Sequence, residues 1–173
     1  MSGVGTLTVR TLSREDFIAR FGGIFEHSQW VAEGAYDRGL GVQSDTAEGL
    51  HAEMTAIMRA ASRDMQLALI NAHPDLAGKL HAAGRLTAES TKEQSSAGLN
   101  MLTDEERLRF TQLNDAYKAR FGFPFIMAVK GRTKAEILAA FEKRIAHDKE
   151  QEFATALAEI EKIALLRLKD MIS

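Results

Sequence analysis

Phe153-Ala154-Thr155-Ala156-Leu157-Ala158-Glu159-Ile160-Glu161-Lys162-Ile163-Ala164-Leu165-Leu166-Arg167-Leu168 is the stretch that decides the fold. Phe153, Leu157, Ile160, Ala164 and then Met171 recur at spacings of three, four and seven, the period of one helix face laid against a core. Arg167 fills the inner position that the stripe leaves between Ala164 and Met171. It is either a snorkelling edge residue or a buried guanidinium that needs a carboxylate.

The same period recurs upstream. Ser13-Arg14-Glu15-Asp16 caps a first helix that carries Phe17 and Phe21, and Leu50, Met54, Ile57 and Met58 share one face of another. Residues 63–72 read as a helix with Met65, Leu69 and Ile70 inward; it must stop near His73, because Pro74 disfavours helical geometry in the residue before it. Thr103-Asp104-Glu105-Glu106 and Thr133-Lys134-Ala135-Glu136 have capping-box spacing. The first leads Phe110, Leu113, Tyr117 and Phe121, the second Ile137, Phe141 and Ile145. With no alternating apolar runs, repeat, low-complexity segment or linker, the expectation is an all-α fold, a single compact multi-helix domain over 1–173. Residues 1–10 are expected to form a flexible or loosely docked start.

Composition narrows the function. At 173 residues and 45% hydrophobic, the chain can bury one real core. Cysteine is absent, which excludes disulfides, thiolate metal sites and a cysteine nucleophile together. A net charge of -2 without a basic run gives phosphate backbones no track, so no nucleic-acid partner is expected. No window approaches the roughly 20 apolar residues of a spanning helix, and Met1 to Arg10 has neither a basic start nor an apolar h-region. The C-terminus, Met171-Ile172-Ser173, is not a Ser-Lys-Leu address. A cytoplasmic protein with no membrane partner is expected.

Besides Arg167, three places break local rules, as functional sites tend to do. At His73-Pro74-Asp75-Leu76 an imidazole is held at a helix boundary; it can exchange protons near neutrality, or simply end its helix beside the proline. The polar run from Ser90 to Gly98 opens a helix, and Ser90 and Glu93 have capping-box spacing. The small and amide residues around Gln94 would also let a polar ligand approach the helix N-terminus, where free backbone N–H groups favour anions, and the two roles can coexist. Phe121 to Val129, broken by Gly122 and Pro124, must find partners for its backbone polar groups in protein, water or a ligand.

Taken in order, these places resemble a known family. Phe25-Glu26-His27-Ser28-Gln29-Trp30, His73-Pro74-Asp75-Leu76-Ala77-Gly78-Lys79, Ser90 through Leu99, Leu113-Asn114-Asp115-Ala116-Tyr117, Phe121 to Gly131 and Ile163 to Leu168 are similar to the 2-oxo-4-hydroxy-4-carboxy-5-ureidoimidazoline (OHCU) decarboxylase family. The likeness runs through most of the chain. It implies an all-α domain, often a homodimer, that converts OHCU to (S)-allantoin and carbon dioxide in uric acid degradation without a cofactor.

By that resemblance His73 is the catalytic histidine and Glu93 its acidic partner. Ser90 and Gln94 contact polar edges of a small anionic ureidoimidazoline, and Pro74 lines the pocket. The backbone of Phe125, Ile126, Met127, Ala128 and Val129 bonds the ligand, and Arg167 holds its carboxylate or ureido end. Two places depart from the family pattern: Gln29 stands where proline is common, and Arg38-Gly39-Leu40 replaces a frequent Arg-Pro-Phe. Two other classes compete. A helical binding module would use the polar run as a cap and the aromatic stretch as core. A metal hydrolase lacks a pattern such as His-Glu-x-x-His, since His27, His51, His73, His81 and His147 are scattered; no metal site is expected.

Overall fold

Each long helix begins where a side-chain oxygen can take up one of its orphan N–H groups. The computed structural model describes residues 8–76 and 87–172 of the chain. Among these are eight α-helices and no strand: α1 (Arg14–Phe21), α2 (Trp30–Arg38), α3 (Ala47–Ala60), α4 (Arg63–Ala72), α5 (Ala88–Ser96), α6 (Asp104–Phe121), α7 (Lys134–Arg144) and α8 (Lys149–Met171). Ser13 caps α1 through the Asp16 N–H, Thr46 caps α3 through Gly49, and the Thr103 and Thr133 boxes close as their spacing predicts. The all-α expectation holds. Met1 to Leu7, Ala77, Gly78, Lys79, His81 and Ser173 lie outside the described residues.

The chain divides into two compact units, one taking the residues up to Ala72 together with those from Glu161 onward, the other running from His73 to Ile160. In the first unit α1 packs on α2 and α2 on α3. Phe17 lies 5.1 Å from Phe21 and 5.4 Å from Tyr36, ring centre to ring centre, and Leu50, Met54 and Met58 of α3 are fully buried. The end of α8 belongs here: His51 Nε2 lies 2.8 Å from the Glu161 carbonyl, and Arg59 pairs with the Glu161 carboxylate. Val9, in a short 3-10 turn, is buried, and the next residue, Arg10, pairs with Asp45.

In the second unit α6 packs on α7 around an aromatic core centred on Tyr117. Its ring lies 4.6 Å from Phe121, 5.4 Å from Phe125 and 5.9 Å from Phe141, and Phe125 stacks on Phe141 at 3.9 Å. Gly122 ends α6 in the left-handed conformation at φ 78°, where a side chain would be strained. From there the chain leaves helical geometry and runs buried to Val129.

Periodicity misplaces one side chain in α4 and one in α8. Met65 and Met171 occupy inner angular positions yet are 42% and 41% exposed. Both sit in the terminal turn of a helix, where less of the chain is at hand to cover them. Leu69 and Ile70, and Leu168 and Ile172, carry the burial instead.

At Gly49, in the first turn of α3, an added Cβ would lie 1.8 Å from the Gln43 carbonyl oxygen. Alanine usually improves a helix over glycine. Here Gly49→Ala is expected to destabilise the protein by about 2 kcal/mol, lowering Tm by roughly 4–8 °C in a thermal melt.

Candidate active site

His73 follows the last residue of α4 directly, as Pro74 requires, and is only 8% exposed. The loop it opens is held from α6. Asn114 Nδ2 donates to the Leu76 carbonyl at 2.7 Å, and Lys118 Nζ pairs with Asp75 at 3.0 Å. Asn114 and Lys118 are one helical turn apart, so one face of α6 fixes both ends of the Asp75-Leu76 dipeptide. Pro74 itself is half-buried.

The polar run behaves differently from its expected cap. Thr87, not Ser90, is the N-cap of α5: its hydroxyl accepts the Ser90 N–H at 3.2 Å. Ser90 is therefore the third helical residue, and Glu93 lies mid-helix rather than closing a box with it. The signal failed because Thr87 and Ser90 are both acceptable caps three residues apart. Ser90 and Gln94, one turn apart, are both buried and Glu93 is half-buried, so α5 turns a polar face inward where a core helix would be apolar.

Phe125, Ile126, Met127 and Val129 are buried in backbone that is neither helix nor strand, with Ala128 half-buried. Hydrogen bonds along this segment fall on its carbonyls. Arg144 Nη1 donates to the Ile126 carbonyl at 2.6 Å and the Arg132 N–H to the Val129 carbonyl at 3.0 Å. His73, Pro74, Ser90, Glu93, Gln94 and residues 125–129 thus all belong to the second unit.

Arg167 belongs to the first unit, and its two readings resolve to the buried one. It is 5% exposed, and its Nη1 pairs with Glu26 at 2.8 Å and reaches the Ile24 carbonyl at 3.2 Å. The carboxylate it needs is one the chain supplies itself. Glu26 precedes His27, whose φ of 47° places a non-glycine residue in the left-handed region. Gly39, at φ 106°, ends α2 in a conformation closed to proline, so the departure from Arg-Pro-Phe changes the backbone there.

Sequence reasoning missed a buried polar cluster in the second unit. Arg144 stands beside Ile145, the residue expected inward, but it is Arg144 that is buried. Its Nε donates to Glu152 Oε1 at 2.9 Å, and its guanidinium lies 4.2 Å from the Phe125 ring centre. Tyr117 OH donates to the same Glu152 oxygen, and His147 Nδ1 lies 3.0 Å from the other. Burial, and then the bond to Glu152, push the Tyr117 phenol well above its ordinary range. A signal existed: Ile137, Phe141 and Arg144 follow at four and three, as Arg167 follows in its own stripe. Glu152, in the first turn of α8, reads as an ordinary helix-dipole acid.

The model of the OHCU decarboxylase family matches residues 10–169. The 2-oxo-4-hydroxy-4-carboxy-5-ureidoimidazoline decarboxylase of Haloferax volcanii is 41% identical, over 95% of this chain and 94% of that protein. The uric acid degradation bifunctional protein PucL of Bacillus subtilis is 46% identical over 88% of this chain, which spans only 29% of it. Among solved structures, (S)-allantoin synthase superposes with a TM-score of 0.74 at 37% identity, covering 95% of this chain and 52% of that one. An OHCU decarboxylase crystallised in the presence of (S)-allantoin shares the fold, with a TM-score of 0.71 at 23% identity over 92% of this chain and 98% of that one. An all-helical carboxy-lyase scaffold is the class these findings define. The chain belongs to the OHCU decarboxylase family.

Tyr117→Phe removes one donor from Glu152 and is expected to cost about 1.5 kcal/mol, read by denaturant unfolding at pH 7. The raised phenol adds a sign. Folded Tyr117 keeps its proton while the unfolded phenol loses it above pH 10, so its stabilising contribution is full below that pH and falls as pH rises further. Melts across pH 9–11 should therefore show a shallower alkaline loss in Tyr117→Phe than in the wild type.

Proposed function

We propose that the chain decarboxylates OHCU to (S)-allantoin and carbon dioxide in uric acid degradation. The observation that carries this is the family match over residues 10–169, which takes in His73, Glu93 and every candidate ligand residue. The inward polar face of α5 and the buried, irregular Phe125–Val129 segment are the features such a substrate calls for.

The chemistry needs no borrowed electron sink. The carboxylated carbon of OHCU also bears the hydroxyl and lies next to the C=N carbon that carries the ureido group. As the bond to carbon dioxide breaks, its electron pair forms a C=C bond to the ureido carbon and the C=N pair moves onto nitrogen, which takes a proton. The resulting enol then loses its hydroxyl proton and gains one at the ureido carbon, giving allantoin. His73 is assigned the proton traffic at the hydroxyl and carboxylate end. Glu93 orients the ureido and ring N–H groups, with Ser90 and Gln94 on the remaining polar edges and Pro74 against the ring. The 125–129 backbone is assigned hydrogen bonds to the ligand; with the Ile126 and Val129 carbonyls each accepting a protein donor, the N–H groups of the segment are the contacts assigned to it. Arg167, oriented by Glu26, is assigned the grip on the anionic group.

The test is a circular-dichroism assay on freshly generated OHCU. The chain should speed the appearance of optically active allantoin above the spontaneous rate. His73→Asn and Glu93→Gln, with folding intact, should each lose about 10²–10⁴-fold in kcat/KM. Activity surviving both substitutions would refute the assignment, and full activity after exhaustive chelation is expected of a cofactor-independent site.

Among the described residues no helix is long and apolar enough to cross a membrane. We place the protein in the cytoplasm as a homodimer. Sedimentation equilibrium should return twice the 19.1 kDa chain mass, and a monomer at all concentrations would refute the dimer.

A further inference from the structure

We propose that Arg144 is a positioning residue that aims the Met127 N–H at the ligand. This rests on the reading of Phe125–Val129 as ligand-binding backbone. The segment is neither helix nor strand, so no ladder of backbone hydrogen bonds sets the orientation of its peptides. Arg144 sets one of them. Its Nη1 holds the Ile126 carbonyl at 2.6 Å, while its guanidinium carbon lies over the Phe125 ring, 4.2 Å from the ring centre. One planar group thereby grips two consecutive residues, by carbonyl and by ring.

The Ile126 carbonyl and the Met127 N–H share a single peptide plane and, in the trans form, point in opposite directions. No cis peptide occurs among the described residues. Fixing the carbonyl on Arg144 therefore turns the Met127 N–H directly away from the guanidinium, as a donor of set direction. Arg144 is itself held. Glu152 takes its Nε at 2.9 Å, and Tyr117 OH and His147 Nδ1 bracket the two Glu152 oxygens. On the other side Phe125 stacks on Phe141, so its ring cannot swing clear of the guanidinium.

A buried ion pair is poor value as a source of stability, since well-packed apolar residues do as well. Its distinctive property here is the fork. A planar guanidinium can bond a carboxylate and a carbonyl at once in fixed directions, which a lysine ammonium cannot.

Arg144→Lys keeps a cation opposite Glu152 but loses that double reach. Steady-state kinetics on OHCU should show KM raised about tenfold with kcat within threefold, the pattern of lost uniform binding. Amide hydrogen exchange at Met127 should quicken in the same variant. Tyr117→Phe is the comparator: it loosens Glu152 but leaves the bond from Arg144 to Ile126, so KM should stay within about twofold despite lower stability. The proposal is overturned by unchanged exchange at Met127, by quickened exchange with unchanged KM, or by an equal KM rise in Tyr117→Phe. Should Arg144→Lys not fold, the double variant Arg144→Met, Glu152→Leu strips both charges together and carries the same comparison. A wild-type chain that gave no acceleration would instead refute the decarboxylase reading, while the exchange at Met127 would still report on Arg144.

Discussion

The Glu152 carboxylate has no exposed surface, and much of the second unit is arranged around that fact. An ionised carboxylate in an apolar interior is untenable unless its lone pairs are met. Three elements meet them: Tyr117 from α6, Arg144 from the end of α7, and His147 from the turn that leads into α8. Two of the three also have a second duty. Tyr117 is the hub of the aromatic core, and Arg144 reaches on to the Ile126 carbonyl. The cost of burying one charge is thus what ties the Phe125–Val129 segment to its surrounding helices.

Two kinds of information were legible in the sequence to different degrees. Helix starts were readable because capping is local: Ser13, Thr103 and Thr133 each bond to a group three residues on. The end of α4 was readable because Pro74 acts on its immediate neighbour. The choice between Thr87 and Ser90 was not, since both satisfy the same local rule and only the packing of Ser90 and Gln94 separates them. The stripe on α8 was readable, but where it stops being covered at Met171 depends on chain far away in sequence.

Long-range pairings were the least legible part of the site. Arg167 stood out as a cation in an apolar stripe, yet nothing local says that its partner is Glu26, 141 residues away. Arg144 obeyed the same rule at Ile137 and Phe141 and went unnoticed beside Ile145. The family pattern supplied residue identities at His73, Glu93 and residues 125–129, but not the hydrogen bonds that orient them. Asn114 illustrates the gap: it belongs to a family-like segment, and its work of holding the Leu76 carbonyl appears only in three dimensions.

Helix α6 carries Asn114, Tyr117 and Lys118 within little more than one turn. Asn114 and Lys118 hold the loop that begins at His73, and Tyr117 reaches the cluster that holds the Ile126 carbonyl. The spacing between the histidine loop and the Phe125–Val129 segment is therefore measured off along a helix, at about 1.5 Å per residue, rather than along a loop. A helix is a stiff ruler but an unforgiving one. Inserting a single residue between Asn114 and Tyr117 would turn one grip by about 100° relative to the other. Length variation in this family should for that reason be tolerated before and after α6 and excluded between Asn114 and Tyr117.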